Sequence, residues 1–183
     1  MSDNVITPEF RVSYPQVLQS KLNDLNGKQE YSCVALFAKG ADLKALKTNA
    51  QAAAKEKWGD KIPAKLKSPF RDQGEKEKEG KLPDGLEAGA IFLTLKAQHR
   101  PGLVDANLQP IIDASDFYAG CWARAQVRAY AYDQKGNVGV AFGLQNLQKM
   151  RDGDSLGGRV KAEDAFEAVA GAAEENSPAG VFD

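Results

Sequence analysis

The sequence predicts an all-β fold with one intercalated helix: a small Greek-key barrel followed by a flexible acidic C-terminal tail. Three observations carry this. Several segments alternate apolar and polar side chains with the two-residue period of a strand. Residues 42–58 show a helical stripe instead. The charge is also divided, since all 24 Lys and Arg lie at or before Lys161 and residues 162–183 hold six acidic side chains and no basic ones. The net charge is therefore +5 over residues 1–161 and −6 over residues 162–183. Residues 1–161 are expected to form one domain and residues 162–183 a disordered tail.

Residues 5–14, VITPEFRVSY, read as a first strand, loosened by Pro8 and ended by Pro15. Asn26-Gly27 marks a turn. Residues 31–39 form a second strand whose middle is nearly all apolar, hence central. Asp42 caps a helix that runs to Trp58 and stops at Gly59. Leu43, Leu46, Ala50 and Ala53 give it an apolar stripe, so it reads as a scaffold helix over one barrel end. Residues 61–85 are a long polar connection, a length that is usually functional or disordered. Residues 90–98 are a third strand, with Phe92, Thr94, Lys96 and Gln98 on one side. A turn at residues 99–102 and an irregular stretch at 104–114 follow. Residues 117–133 make a strand long enough to require a bend, placed at Gly120. Residues 134–137 are a hairpin turn, and residues 138–147 return as a last strand in which Gly139 and Gly143 permit close approach. Short strands with one helix suit an oligonucleotide-binding (OB) fold variant.

Several classes of function are excluded. The chain has no apolar run of the length that spans a membrane. Its first residues, MSDNVITPEF, lack the basic and apolar regions of a signal peptide, so a cytoplasmic location, that of a host cell included, is expected. Cys33 and Cys121 sit in apolar runs and are expected to be buried thiols. A single histidine, His99, leaves no histidine-based catalytic set or multi-histidine metal site. Phosphate-loop, GxSxG and CxxC patterns are missing. A binding protein without cofactor or metal is therefore expected, rather than an enzyme.

The chemistry concentrates in FYAGCWARAQVRAYAYD, residues 117–133. One face carries Phe117, Ala119, Cys121, Ala123, Ala125, Val127, Ala129 and Ala131. The other carries Tyr118, Gly120, Trp122, Arg124, Gln126, Arg128, Tyr130 and Tyr132: four aromatics and two guanidiniums, with no carboxylate. Aromatic rings between fixed positive charges are what a sequence-tolerant site for single-stranded nucleic acid needs, because every base has a π-face and every linkage a negative charge. Stacking is expected from Trp122, Tyr118 and Tyr130, with Phe70 closing from its loop. Phosphate contacts are expected from Arg124, Arg128, Arg71, Lys96, Arg100, Lys149 and Arg151. The same face could instead cover a second packed layer, or dock a protein, since Tyr, Trp and Arg also dominate interface hot spots. A third reading, a Mg²⁺-dependent nuclease, would use Asp105, Asp113 and Asp116, although turn and capping roles account for such residues more simply.

Three stretches carry a resemblance: VDANLQPIIDASDFYAGCWARA, YAYDQKGNVGVAFGLQNLQKMRDGDSLGGR and the loop SPFRD. Together they resemble a family of phage replication proteins, long treated as a domain of unknown function. That family is similar to the single-stranded-DNA-binding proteins of the short-tailed T-odd coliphages. The likeness runs from ITPEFRVSYP to LGGR. It implies an OB-fold variant, binding of single-stranded DNA through stacking and positive charge, and a role in phage replication and recombination. It also implies a flexible acidic tail that recruits replication proteins, here through Glu174, Glu175, Phe182 and Asp183. The T-odd tails end in an aromatic residue, whereas Phe182 is followed by Asp183. A homodimer is compatible with all of this.

Overall fold

The computed structural model describes residues 3–156 and 162–169. The chain forms β1 (Val5–Ile6), β2 (Phe10–Asn23), β3 (Lys28–Leu36), α1 (Lys44–Trp58), β4 (Arg71–Asp72) and β5 (Ile91–Ala97). It continues as β6 (Gly102–Val104), β7 (Trp122–Gln134), β8 (Asn137–Arg151) and the short helix α2 (Ala162–Ala165). The strands form one sheet in which β2, β3, β5, β8 and β7 are successive neighbours and β7 also pairs with β2. The sheet is thus partly closed on itself, mostly antiparallel, with β5 and β6 running parallel to β8. The expected class, mostly β with one helix, is the observed one.

The interior follows the alternation. Phe10, Val12, Cys33, Ala35, Leu93, Leu95, Val127, Phe142 and Leu144 are buried together. The alanines of β7 are small enough for α1 to approach, and Leu46, Ala50, Ala53 and Ala54 bury its inner face. Asn49 is buried in the same contact, where it serves two backbone groups. Its Nδ2 donates to the Asp3 carbonyl at 2.7 Å and its Oδ1 accepts from the Ala129 amide at 2.7 Å. The N-cap residue of α1 is Leu43 and not the expected Asp42, which one position earlier accepts from the Lys44 amide at 3.1 Å, and Gly59, at φ 58°, donates to the Lys55 carbonyl. Cys33 and Cys121 are buried free thiols, and burial pushes Cys33 up to about 12.

Several boundaries differ from expectation for physical reasons. The first predicted strand is two, separated at Thr7-Pro8, where Thr7 exchanges both a backbone and a hydroxyl hydrogen bond with Ala125. Pro15 does not end β2. It sits in a bulge between Ser13 and Gln16, where no ladder amide is required of it. Residues 117–121 alternate in sequence but are not strand, and Gly120, expected to face outward, is buried. Gly120, at φ 112°, donates to the Val12 carbonyl at 2.8 Å and turns the chain into β7, and a Cβ there would strike the Asp154 carbonyl. The hairpin turn is as expected, with Lys135 and Gly136 both at positive φ.

Residues 61–85 are more ordered than their composition suggests. Phe70 is followed by β4, which pairs with β5, and by a 3₁₀ turn at Gln73–Lys76. Buried Gln73 donates to the Phe37 and Ile91 carbonyls at 2.9 and 3.0 Å and accepts from the Glu87 amide at 2.8 Å. One amide side chain therefore fastens the loop to the barrel. No helix among the described residues is long and apolar enough to cross a membrane.

Candidate nucleic-acid interface

The outer surface of the barrel is built from the alternate positions. On β7, Ala123, Ala125, Val127 and Ala129 are buried, which sends Trp122, Arg124, Gln126, Arg128, Tyr130 and Tyr132 outward. Their β8 partners are small at one end: Gly143 faces Arg128, Ala141 faces Tyr130 and Gly139 faces Tyr132. Gly143 lies beside Lys96 of β5, Lys96 is paired with Ser32 of β3, and Ser32 with Gln16 of β2. A single row, Arg128–Gly143–Lys96–Ser32–Gln16, thus crosses all five barrel strands. Gly143 and Ser32 keep part of this row low, a shallow trough beside the taller Tyr130 and Lys96.

Tyr130 is 45% exposed and leans over Gly143, where a Cβ would lie 3.8 Å from the ring Cδ1. Burial of its hydroxyl and the neighbouring Glu30 and Tyr132 raise its pKa, so the ring is neutral at physiological pH. Glu30 borders the trough, 3.8 Å from the Lys96 ammonium, and accepts hydrogen bonds from Asn23 and Asn26. Partial burial pushes its carboxyl up. The two amide hydrogen bonds and the charges of Lys96 and Lys28 outweigh that and hold it below the usual carboxylate range. Arg128 and Tyr130 also line a small cleft against Ala53, Glu56 and Lys57 of α1.

The other end of the β7–β8 pair is covered. Trp122 is half-buried, with the Arg11 guanidinium 5.8 Å and the Arg151 guanidinium 4.5 Å from its ring centre. Arg11 donates to the Gly120 and Asp154 carbonyls at 3.2 and 2.6 Å, and Arg151 pairs with Glu9 at 2.8 Å. Tyr118 is not on β7 but in the preceding turn, half-buried against the core. Its hydroxyl lies 3.0 Å from both the Asp152 carboxylate and the Gly153 carbonyl. Lys149 sits 5.3 Å above the Tyr118 ring and pairs with Asp152 at 2.7 Å. Between the two ends, Arg124 donates to the Gln148 side chain at 2.8 Å, and Asn146 donates to Gln126 at 2.8 Å.

The remaining candidates are scattered. Phe70 packs edge-on against Phe142 at 5.7 Å and so anchors its loop. Arg71 pairs with Glu75 at 2.6 Å and, with Lys76, covers Phe92, which is 1% exposed although it shares the outward side of β5 with Thr94 and Lys96. Arg100 lines a separate groove of about 600 Å³ between Pro15–Gln19 and the segment holding Ile112 and Phe117. The structure therefore brings Tyr130, Arg128 and Lys96 together and gathers Trp122, Tyr118, Lys149 and Arg151 elsewhere. Glu174, Glu175, Phe182 and Asp183 lie outside the described residues. Sequence reasoning did not single out Tyr14, Arg11 or Glu30. Only the Tyr14-Pro15 break in the alternation could have flagged the first.

The carboxylates of the nuclease reading are employed locally. Asp105 accepts from the Asn107 and Gln109 amides at 2.8 and 2.9 Å. Asp113 accepts from the backbone and hydroxyl of Ser115, which lower its pKa. Among the described residues no group of three or more His, Cys, Asp or Glu is placed to hold a metal ion.

The chain is 29% identical over 179 residues to protein p50 of Acyrthosiphon pisum secondary endosymbiont phage 1, covering 90% of this chain and 93% of that one. It is similar to the single-stranded DNA-binding protein from bacteriophage Enc34 solved in complex with ssDNA, with a TM-score of 0.69 and 18% identity over 84% of this chain and 89% of that one. It is also similar to gp2.5, a single-stranded DNA-binding protein encoded by bacteriophage T7, with a TM-score of 0.63 and 11% identity over 92% and 100% of the two chains. At these identities the structural matches speak to the fold. The family model described as "Enterobacter phage Enc34, ssDNA-binding protein" is one of binding proteins, not enzymes. That model matches residues 3–177, and the chain belongs to this family of phage single-stranded-DNA-binding proteins.

Proposed function

We propose that the protein binds single-stranded DNA, with little regard to sequence, along the outer face of the barrel, in phage replication and recombination. The observation that carries this is the trough: an exposed tyrosine ring laid over a glycine, with Lys96 and Arg128 beside it. A base can lie on Tyr130 because nothing larger than Gly143 and Ala141 stands opposite. Lys96, Arg128 and Arg124 hold phosphates on either side.

Trp122 and Tyr118 serve differently from an open stacking ring. A base reaches Trp122 only if Arg11 or Arg151 moves aside, so this cluster acts first through its cations, Lys149 and Arg151. Phe70 holds its loop to the barrel, while Arg71 lies over Phe92 and Arg100 in the groove, each a further contact for a longer strand. Residues 1–161 form the binding domain, and the acidic segment 162–183 competes with DNA for the same cations. Glu174, Glu175, Phe182 and Asp183 recruit replication proteins once DNA displaces the tail. Because several Lys and Arg hold phosphates, affinity falls steeply with salt, and with a body charge of only +5 it is not extreme.

Titration of fluorescently labelled oligo-dT at several salt concentrations, with duplex as control, tests both parts. Tight, salt-dependent binding of oligo-dT in preference to duplex is expected, tighter still after deletion of residues 162–183, most visibly at low salt. Absence of binding to oligo-dT removes the reading. Equal affinity of truncated and full-length protein at every salt concentration removes the competition by the tail.

A further inference from the structure

We propose that Tyr14 is a second base-stacking ring, set on the opposite margin of the trough from Tyr130, an inference that rests on the single-stranded-DNA reading above. Tyr14 is 72% exposed, whereas its neighbours Val12 and Ser13 are 0% and 7% exposed. Its φ is 46°, a left-handed conformation that a bulky aromatic side chain rarely holds. Packing does not account for this, because the ring is mostly in water. Strained backbone of this kind persists where the surroundings impose it and gathers at ligand sites.

The imposing feature is the bulge of β2. Ser13 is paired with Val34 and Gln16 with Ser32, so Tyr14 and Pro15 together oppose the single residue Cys33. In a regular strand a residue opposite core-facing Cys33 would point inward, but the left-handed turn at Tyr14 leaves its ring in solvent instead. The bulge also places Tyr14 beside the row that runs from Gln16 and Ser32 to Lys96, Gly143 and Arg128. Along that row Lys96 on β5 lies two strand spacings from β2 and two from β7, about 10 Å each way. The two tyrosines and the cation between them thus follow the curve of the barrel surface over a path longer than a single nucleotide.

The test uses full-length Tyr14→Ala, Tyr14→Gly, Tyr14→Phe and Tyr130→Ala, with labelled oligo-dT of graded length. On oligonucleotides long enough to cross the five strands, the Ala and Gly variants are expected to bind about 5- to 150-fold more weakly, the loss of one stacked base. Tyr14→Phe keeps the ring and the affinity. Tyr14→Gly is expected to unfold at the same or higher urea concentration, because glycine adopts positive φ without strain. A loss of binding without a loss of fold therefore reports the ring itself. If Tyr14→Ala and Tyr14→Gly bind long oligo-dT like the wild type while Tyr130→Ala is weakened, Tyr14 is outside the site and the trough stands. If Tyr130→Ala is also unaffected, the trough itself is wrong and this inference falls with it. Retained DNA binding combined with loss of a protein contact would make Tyr14 a docking residue and overturn the proposal.

Discussion

Replacing Gly143 with valine separates the trough from the fold that carries it. Gly143 is on β8 between β5 and β7, and its neighbours Phe142 and Leu144 are buried, so a new side chain must rise outward. A Cβ there meets the Arg128 carbonyl at 3.6 Å and the Gln145 and Tyr130 side chains at 3.8 Å, ordinary van der Waals distances. The backbone tolerates the substitution, and a β-branched residue in place of glycine in a strand is worth up to about 1 kcal/mol. Its two methyl groups, however, stand under the Tyr130 ring and push it from the position in which a base would lie on it. The expected cost is the stacking of one base, about 1–3 kcal/mol or roughly 5- to 150-fold in affinity. Fluorescence anisotropy with oligo-dT reads the affinity and a urea midpoint reads the fold. Gly143→Val with an unchanged midpoint and wild-type affinity would refute the claim that bases lie on this floor.

Glu30→Gln removes the carboxylate beside Lys96 and is expected to tighten oligo-dT binding by about 1.4- to 5-fold at low salt, the worth of a partly exposed ion pair; weaker binding in anisotropy titrations would sink the idea that the lysine serves phosphate. Because the fold lowers the Glu30 pKa, its contribution to stability is complete above the unfolded value and is lost as pH falls through the lower folded value, so urea midpoints of Glu30→Gln should show a shallower acid decline. Gly120→Ala is expected to cost about 3 kcal/mol or more, from left-handed strain and collision with the Asp154 carbonyl. A urea midpoint within error of the wild type would show that the turn into β7 is not held as described.

What could be read from the chain was local. The outward and inward sets of β7 follow from side chains two residues apart, and the stripe of α1 from side chains three and four apart, so both were legible. The ends of elements were not. Residues 117–121 alternate like a strand, yet the amide of Gly120 is taken by Val12, a partner more than a hundred residues away. Residues 61–85 look structureless because their order comes from Gln73, one polar residue among many, which finds three backbone partners in the folded barrel.

The same limit explains the site. Period-two reading puts Trp122 and Tyr130 on one face as equals, and it is correct about the face. Their surroundings differ because of what the register sets beside them. Tyr130 has Ala141 across the ladder and Gly143 diagonal to it and stays open, whereas Trp122 has Arg151 on one neighbouring strand and Arg11 on the other and is covered. Both outcomes depend on pairing among strands distant in sequence, which no window along β7 contains. The glycines of β8 read as points of close approach, but only the ladder shows that Gly139 lies across from Tyr132 and that Gly143, across from Arg128, lies beside Tyr130. In a barrel of this kind, the size of the residue opposite an aromatic decides whether that aromatic meets solvent, and so whether it can meet a base.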